Sequence, residues 1–177
     1  MTARPPEIID APPAVLRRWR PDDFDELYQA TIDSHDHLRP WMPWAEIISR
    51  DGTANFLAES DSAWESGTEF SYAITLDSRV VGSAGLMTRR EPGVLEIGYW
   101  VHQDYLRRGL ATAATRALTD AAFDLPGIIR VEIVHDELNT ASEAVPRKLG
   151  FTRVGTTQMA NPPSAGNGIG VIWRLIR

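Results

Sequence analysis

Leu106-Arg-Arg-Gly-Leu-Ala111 brings together residue types that can hold a phosphorylated ligand. Beyond Gly109, the spacing of Leu110, Ala111, Ala113, Ala114, Ala117, Leu118, Ala121 and Ala122 predicts one apolar face of a helix running through about Phe123. A helix start presents unbonded N–H groups and partial positive charge. Gly109 admits close approach, and Arg107 and Arg108 add formal charge and forked donors. Pyrophosphate is the natural guest of such a turn, although solvated arginines beside an ordinary glycine turn would look the same. Immediately upstream, Glu96-Ile-Gly-Tyr-Trp-Val101 reads as a strand along which the far end of that ligand can lie. Glu96 shares one side of this strand with Gly98 and Trp100, where a carboxylate is costly unless it has a partner or a task. Two readings fit it: a general base for an incoming ammonium, or half of a buried pair with an arginine.

Other chemistries are removed by what the chain lacks. No Gly-x-x-x-x-Gly-Lys-Ser/Thr occurs, which excludes a P-loop, and no Gly-x-Gly-x-x-Gly opens a βαβ unit, which leaves a dinucleotide fold unsupported. With no cysteine there is no disulfide, no thiolate metal site and no acyl-cysteine intermediate, so any acyl transfer uses another nucleophile. The sequence indicates no third ligand to join His35 and His37, and no metal is expected. A net charge of −6 argues against nucleic-acid binding and suits a cationic amine substrate, with the arginines near Gly109 as a local basic patch.

The turn resembles the acyl-CoA-binding signature of the GCN5-related N-acetyltransferase (GNAT) family, Gln/Arg-x-x-Gly-x-Gly/Ala, with Gly109 and Ala111 in its last two fixed places. Leu106 stands in the Gln/Arg place, a departure that loses one polar contact at the phosphates and leaves Arg107 or Arg108 to supply it. Asn139-Thr-Ala-Ser142, followed by Lys148-Leu-Gly-Phe151, is similar to the family's second conserved block. Glu96-Ile-Gly-Tyr-Trp100 and Trp41-Met-Pro-Trp44 resemble the RimJ/RimL-like branch, which contains the ribosomal-protein N-terminal acetyltransferases. The resemblance runs roughly from Val15 to the C-terminus.

It implies transfer of acetyl from acetyl-CoA to a primary amine by direct attack in a ternary complex. A protein or peptide N-terminal α-amine is the implied acceptor. A small amine or amino-acid derivative is the alternative, and a non-catalytic acyl-CoA-binding module is the alternative of another class. Trp100, Val101, Leu106, Arg107, Arg108, Gly109, Leu110, Ala111 and Asn139 would then hold acetyl-CoA, and Trp41, Trp44 and His35 the acceptor. Glu96 would be the base and Ser142 the proton donor to the leaving thiolate, with Tyr99 and Tyr105 as rival donors, since no tyrosine follows Asn139 where many members carry one. Asn139 is also simply a helix N-cap, and Ser142 an ordinary helix-surface serine. A homodimer is implied as well.

The elements that must position these residues follow from pattern. A strand over 15–20 precedes a helix that Pro21-Asp22-Asp23 starts and that runs to about Ile32. Trp41 to Trp44 must pack on something, either as a plug beneath a loop or as one wall of an acceptor cleft. A helix over 53–64 stops at Gly67; strands over 70–76 and 79–87 form a hairpin through Asp77-Ser78; and a strand over 94–101 pairs antiparallel with the second arm. A strand over 128–135 follows the Gly109 helix, and Asn139 starts a helix to Leu149 that Pro146 kinks or shortens. Strands over 151–159 and 170–176 flank a flexible loop over 161–168. Together these predict an α/β fold: a mixed, mostly antiparallel sheet with one central parallel pair made by a βαβ crossover, and helices on both faces. A ligand belongs at the carboxyl ends of that pair, where the Gly109 turn sits. The chain reads as one domain over 15–177 behind an extended arm over 1–14, with no signal peptide and no membrane span, and a cytoplasmic location is expected.

Overall fold

The computed structural model describes residues 3–89 and 91–177, so the first two residues of the expected arm lie outside the described residues. Among the described residues, eight strands form one sheet: β1 (Ile8–Ala11), β2 (Ala14–Arg18), β3 (Glu69–Leu76), β4 (Arg79–Met87), β5 (Val94–Val101), β6 (Arg130–Asp136), β7 (Thr152–Gln158) and β8 (Ile169–Ile176). Their spatial order is β1-β2-β3-β4-β5-β6-β8-β7, and every neighbouring pair is antiparallel except β5 and β6. The helices are α1 (Phe24–Asp33), α2 (His35–Leu38), α3 (Arg50–Ser66), α4 (Leu110–Asp124) and α5 (Thr140–Lys148). This is the expected mixed α/β sheet with helices on both faces and a single parallel pair at its centre.

Local chemistry accounts for the boundaries. Asp77 and Ser78 both take left-handed φ, 49° and 66°, which gives the tight turn that closes the β3–β4 hairpin. Helix α3 begins earlier than its apolar pattern indicates because Ser49 Oγ accepts the Gly52 N–H at 3.0 Å, and it ends where Gly67 turns left-handed at φ 74°. Part of the segment expected as an N-terminal arm is instead a sheet strand: Ile8–Ala11 pairs along β2 from Ile8↔Arg17 to Ala11↔Ala14. The prolines around it confine β1 to the sheet edge, where their missing N–H groups cost nothing, and so hide a strand in a Pro-rich stretch. The 161–168 loop is also more firmly held than its composition indicates. Asp136 accepts the N–H groups of Leu138 and Gly168 at 3.0 and 2.9 Å, and Ala165 N–H bonds Pro40 C=O at 3.0 Å.

The alternation of β3, β4 and β5 separates two faces. Phe70, Tyr72 and Ile74 with Ala84, Leu86, Leu95, Ile97 and Val101 pack against Leu110, Ala114, Leu118 and Ala122 of α4. On the other face Ala73 and Val80 pack with Trp19, Leu27 of α1 and Leu57 of α3. Cross-strand register then assembles rows of side chains on this second face: Glu69–Met87–Glu96, Ser71–Gly85–Gly98, and Ala73–Ser83–Trp100.

The sheet parts at its centre. Strand β5 pairs with β6 only at Val94↔Arg130, Leu95↔Val131 and Glu96↔Glu132, yet stays paired with β4 as far as Val101. His102 N–H bonds Val81 C=O at 2.8 Å, so the even-numbered residues of β5 direct their backbone groups to β4. Ile97, Tyr99 and Val101 therefore direct theirs the other way, into the gap where β6 has diverged.

Candidate active site

The parted strands open a cleft of about 760 Å³ that passes through the sheet. Its lining includes Tyr99, Asn139 and Ser142 from the α4–α5 face and Glu96, Gly98 and Trp100 from the opposite face, so the gap joins the two sides of the molecule.

On one side lies the turn after β5. Arg107 and Gly109 both have left-handed φ, 59° and 76°, on either side of Arg108. Alternating handedness curls successive N–H groups into a concavity suited to an anion. Gly109 caps α4 without a side chain and the first turn of α4 has no acidic residue, which leaves the Leu110, Ala111 and Thr112 N–H groups without intrahelical partners. Arg108 is held in place: its Nη2 donates to Asp104 C=O at 3.1 Å, and its guanidinium lies 4.9 Å over the Tyr105 ring. The turn itself is fastened by His102, whose Nδ1 accepts the Asp104 N–H at 3.1 Å, and by Ser34 Oγ, which accepts the Gln103 N–H at 3.1 Å.

Other expected donor-binding residues differ in what they can offer. Leu110 and Val101 are buried in the α4-face core, so only their backbones are available to a ligand, and Leu106 is an exposed apolar side chain. The turn lies beyond the end of the cleft lining, at the carboxyl end of β5. Tyr105 stays with it, edge-on to His102 at 5.5 Å, and does not line the cleft.

Asn139 acts as the N-cap: its Oδ1 accepts the Ser142 N–H at 3.2 Å and starts α5. Four positions beyond Ser142, Pro146 sits inside α5 and has no N–H to give to the Ser142 carbonyl. Tyr99 supplies the missing donor. Its hydroxyl bonds that carbonyl at 3.1 Å, spanning from β5 to α5 across the parted strands. Burial pushes the Tyr99 phenol up to about 12, so the proton stays on it near neutral pH and is engaged in this bond. Sequence alone isolates Pro146 as an oddity; only the fold shows what it releases.

Restoring an N–H in Pro146→Ala is expected to satisfy the Ser142 carbonyl within the helix and free Tyr99. Because burial raises the folded phenol above its unfolded value, Tyr99 contributes stability that is complete below about pH 10 and lost as pH rises through about 12. Pro146→Ala is expected to move the Tyr99 ultraviolet titration away from its wild-type position while Tyr99→Phe removes it. An unmoved titration in Pro146→Ala would show that the two residues are not linked.

On the opposite face is an acidic trough with aromatic walls. Trp44 packs on Trp100 with ring centroids 5.9 Å apart, and Trp41 lines the same cleft, so both tryptophans expected at the acceptor are there. His35, on α2, is not among the lining residues, because the short helix opened at Ser34 carries it away from the trough. Glu96 is 13% exposed, lines the cleft and has Arg89 Nη1 at 3.4 Å, so of the two readings its sequence left open the structure supplies the arginine pair. Ser71, Ser83 and Gly85 on β3 and β4 form much of the floor and had no signal in the sequence, since their neighbours are set by strand register.

Residues 14–152 match the model of the acetyltransferase (GNAT) domain. YdaF of Bacillus subtilis (strain 168), named as a candidate ribosomal N-acetyltransferase, is 27% identical over 143 residues, covering 79% of this chain and 78% of its own. Among solved structures, RimL, a ribosomal L7/L12 α-N-protein acetyltransferase in complex with coenzyme A, superposes with a TM-score of 0.88 at 22% identity, covering 96% of this chain and 98% of its own. Mycobacterium smegmatis RimJ in complex with CoA-disulfide gives 0.87 at 22% identity, covering 98% and 90%. With the family model spanning most of its length, the chain belongs to the GNAT acetyltransferases and is an acetyl-CoA-dependent N-acetyltransferase.

Proposed function

We propose that the acceptor is the α-amine of a protein N-terminus, acetylated by direct attack on bound acetyl-CoA. The observation that carries this reading is the cleft at the parted strands, with an acidic trough and aromatic walls on one face and the curled N–H turn beyond its lining at the carboxyl end of β5. The curled N–H groups of Arg107 to Ala111 take the pyrophosphate, with Arg107 and Arg108 adding charge. The backbone of Ile97, Tyr99 and Val101 pairs with the pantetheine arm of acetyl-CoA as a strand would, and Asn139 flanks it. Glu96 takes the proton of the incoming ammonium, directly or through water, and Ser142 donates to the departing thiolate. Trp41, Trp44 and Trp100 wall the acceptor, whose cationic amine suits both the ring faces and the carboxylates.

The RimL name supports a protein α-amine and both the RimL and YdaF names a ribosomal acceptor, and a cytoplasmic enzyme is consistent with that acceptor. Among the described residues, no helix is long and apolar enough to cross a membrane. The reading is tested by mass spectrometry of products formed from acetyl-CoA and a panel of N-terminal peptides, free amino acids and polyamines. A single acetyl on a peptide α-amine is expected. Acetylation confined to free amino acids or polyamines would overturn the choice of acceptor.

A further inference from the structure

Glu69 stands on the trough in direct register with Glu96: Glu69 faces Met87 across β3–β4, and Met87 faces Glu96 across β4–β5. Its only polar side-chain partner among the described residues is Ser71, whose hydroxyl donates to Glu69 Oε1 at 2.9 Å. The other shielded carboxylates are answered more fully. Asp23 is forked by Arg17 at 2.7 Å, Glu132 receives Arg174 at 2.7 Å, Glu96 has Arg89 at 3.4 Å, and Asp136 accepts backbone N–H groups. Among the described residues Glu69 is half-buried in the cleft with no ion pair, and unlike Asp136 in the same cleft it has no backbone N–H groups bonded to its carboxylate. A carboxylate so placed is costly in the empty cleft and rewards a positive charge brought by a ligand.

The adjacent row decides where that charge must lie. Ser71, Gly85 and Gly98 carry little or no side chain and only the Met87 methyl leans over Gly98, so the cleft floor stays low from beside Glu96 to beside Glu69. Two strand spacings separate its ends, about 9.5 Å. An extended peptide advances roughly 3.3 Å per residue. With its α-amine at Glu96, the side chain of its second or third residue therefore comes within reach of Glu69.

The geometry points to Glu69 as a specificity-determining residue that selects N-termini bearing Lys or Arg at the second or third position. This rests on the N-terminal acceptor reading proposed above. The test measures α-acetylation of peptides that differ only by Lys, norleucine or Glu at those positions, with wild type, Glu69→Gln and Glu69→Lys. Glu69→Gln keeps an acceptor for the Ser71 hydroxyl, so the fold is retained, and circular dichroism checks it. Wild type is expected to favour the Lys peptide about tenfold in kcat/KM, mainly through KM. Glu69→Gln should bring the Lys and norleucine peptides to parity by weakening only the former, and Glu69→Lys should favour the Glu peptide. Equal treatment of Lys and norleucine peptides by wild type, or equal slowing of both by Glu69→Gln, would overturn the assignment while leaving N-terminal acetylation intact. Acetylation of neither α-amine would overturn both.

Discussion

Glu96→Gln is expected to lower kcat by about a hundredfold or more while leaving acetyl-CoA affinity within a factor of about two. The substitution keeps the shape and the ability to accept the Arg89 contact at 3.4 Å, but removes the capacity to take a proton from the ammonium. On the proposed reading acetyl-CoA is held from the Gly109 turn and the β5 backbone, neither of which the change touches. Calorimetry of acetyl-CoA binding and steady-state rates separate the two effects. If Glu96 serves only as the partner of Arg89, Glu96→Gln will instead lower the melting temperature and leave the rate near normal.

The second large effect concerns Gly82→Ala. A Cβ at Gly82 would stand 2.3 Å from the Trp100 carbonyl oxygen and 3.1 Å from Val101 Cα, both backbone atoms of β5. No side-chain rotation relieves such a clash, so β4 and β5 must move apart at the core of the sheet. A loss of about 2–4 kcal/mol is expected, read as a fall of roughly 5–15 °C in thermal unfolding. Gly109→Ala provides the contrast. Nothing lies within 4 Å of its added Cβ, so its cost is only the left-handed φ of 76°, about 1 kcal/mol, and should appear mainly in acetyl-CoA affinity. Comparable melting temperatures for the two variants would show that the β4–β5 backbone yields more easily than its geometry indicates.

The parts of this architecture legible in the sequence are those specified locally. The Asp77-Ser78 hairpin, the Asn139 cap and the apolar face of α4 each depend on residues a few positions apart, and each stands where the pattern places it. The Gly109 turn was legible too, although its curled backbone also needed the left-handed Arg107, which no composition rule favours. The start of α3 was missed because Ser49 caps a first turn weakened by Gly52. The trough was illegible for a different reason. That Glu69 and Glu96 share a row, or that Ser71, Gly85 and Gly98 line up beside it, depends on the pairing of three strands, and register is a long-range property. The Tyr99–Ser142 bond likewise joins residues 43 positions apart. His35 shows the converse risk: proximity in sequence to Trp41 and Trp44 did not bring it to the same wall.

The cleft that runs through the sheet also bears on traffic. A pocket with a single mouth makes its second reactant wait on the first, and its products leave in sequence. Here the parted β5 and β6 leave one cleft lined from both faces of the sheet. On the proposed reading, each reactant has its own doorway, and the spent coenzyme departs without crossing the acetylated chain. An acceptor as bulky as a ribosomal protein could then remain docked at its own entrance while the donor is exchanged behind it.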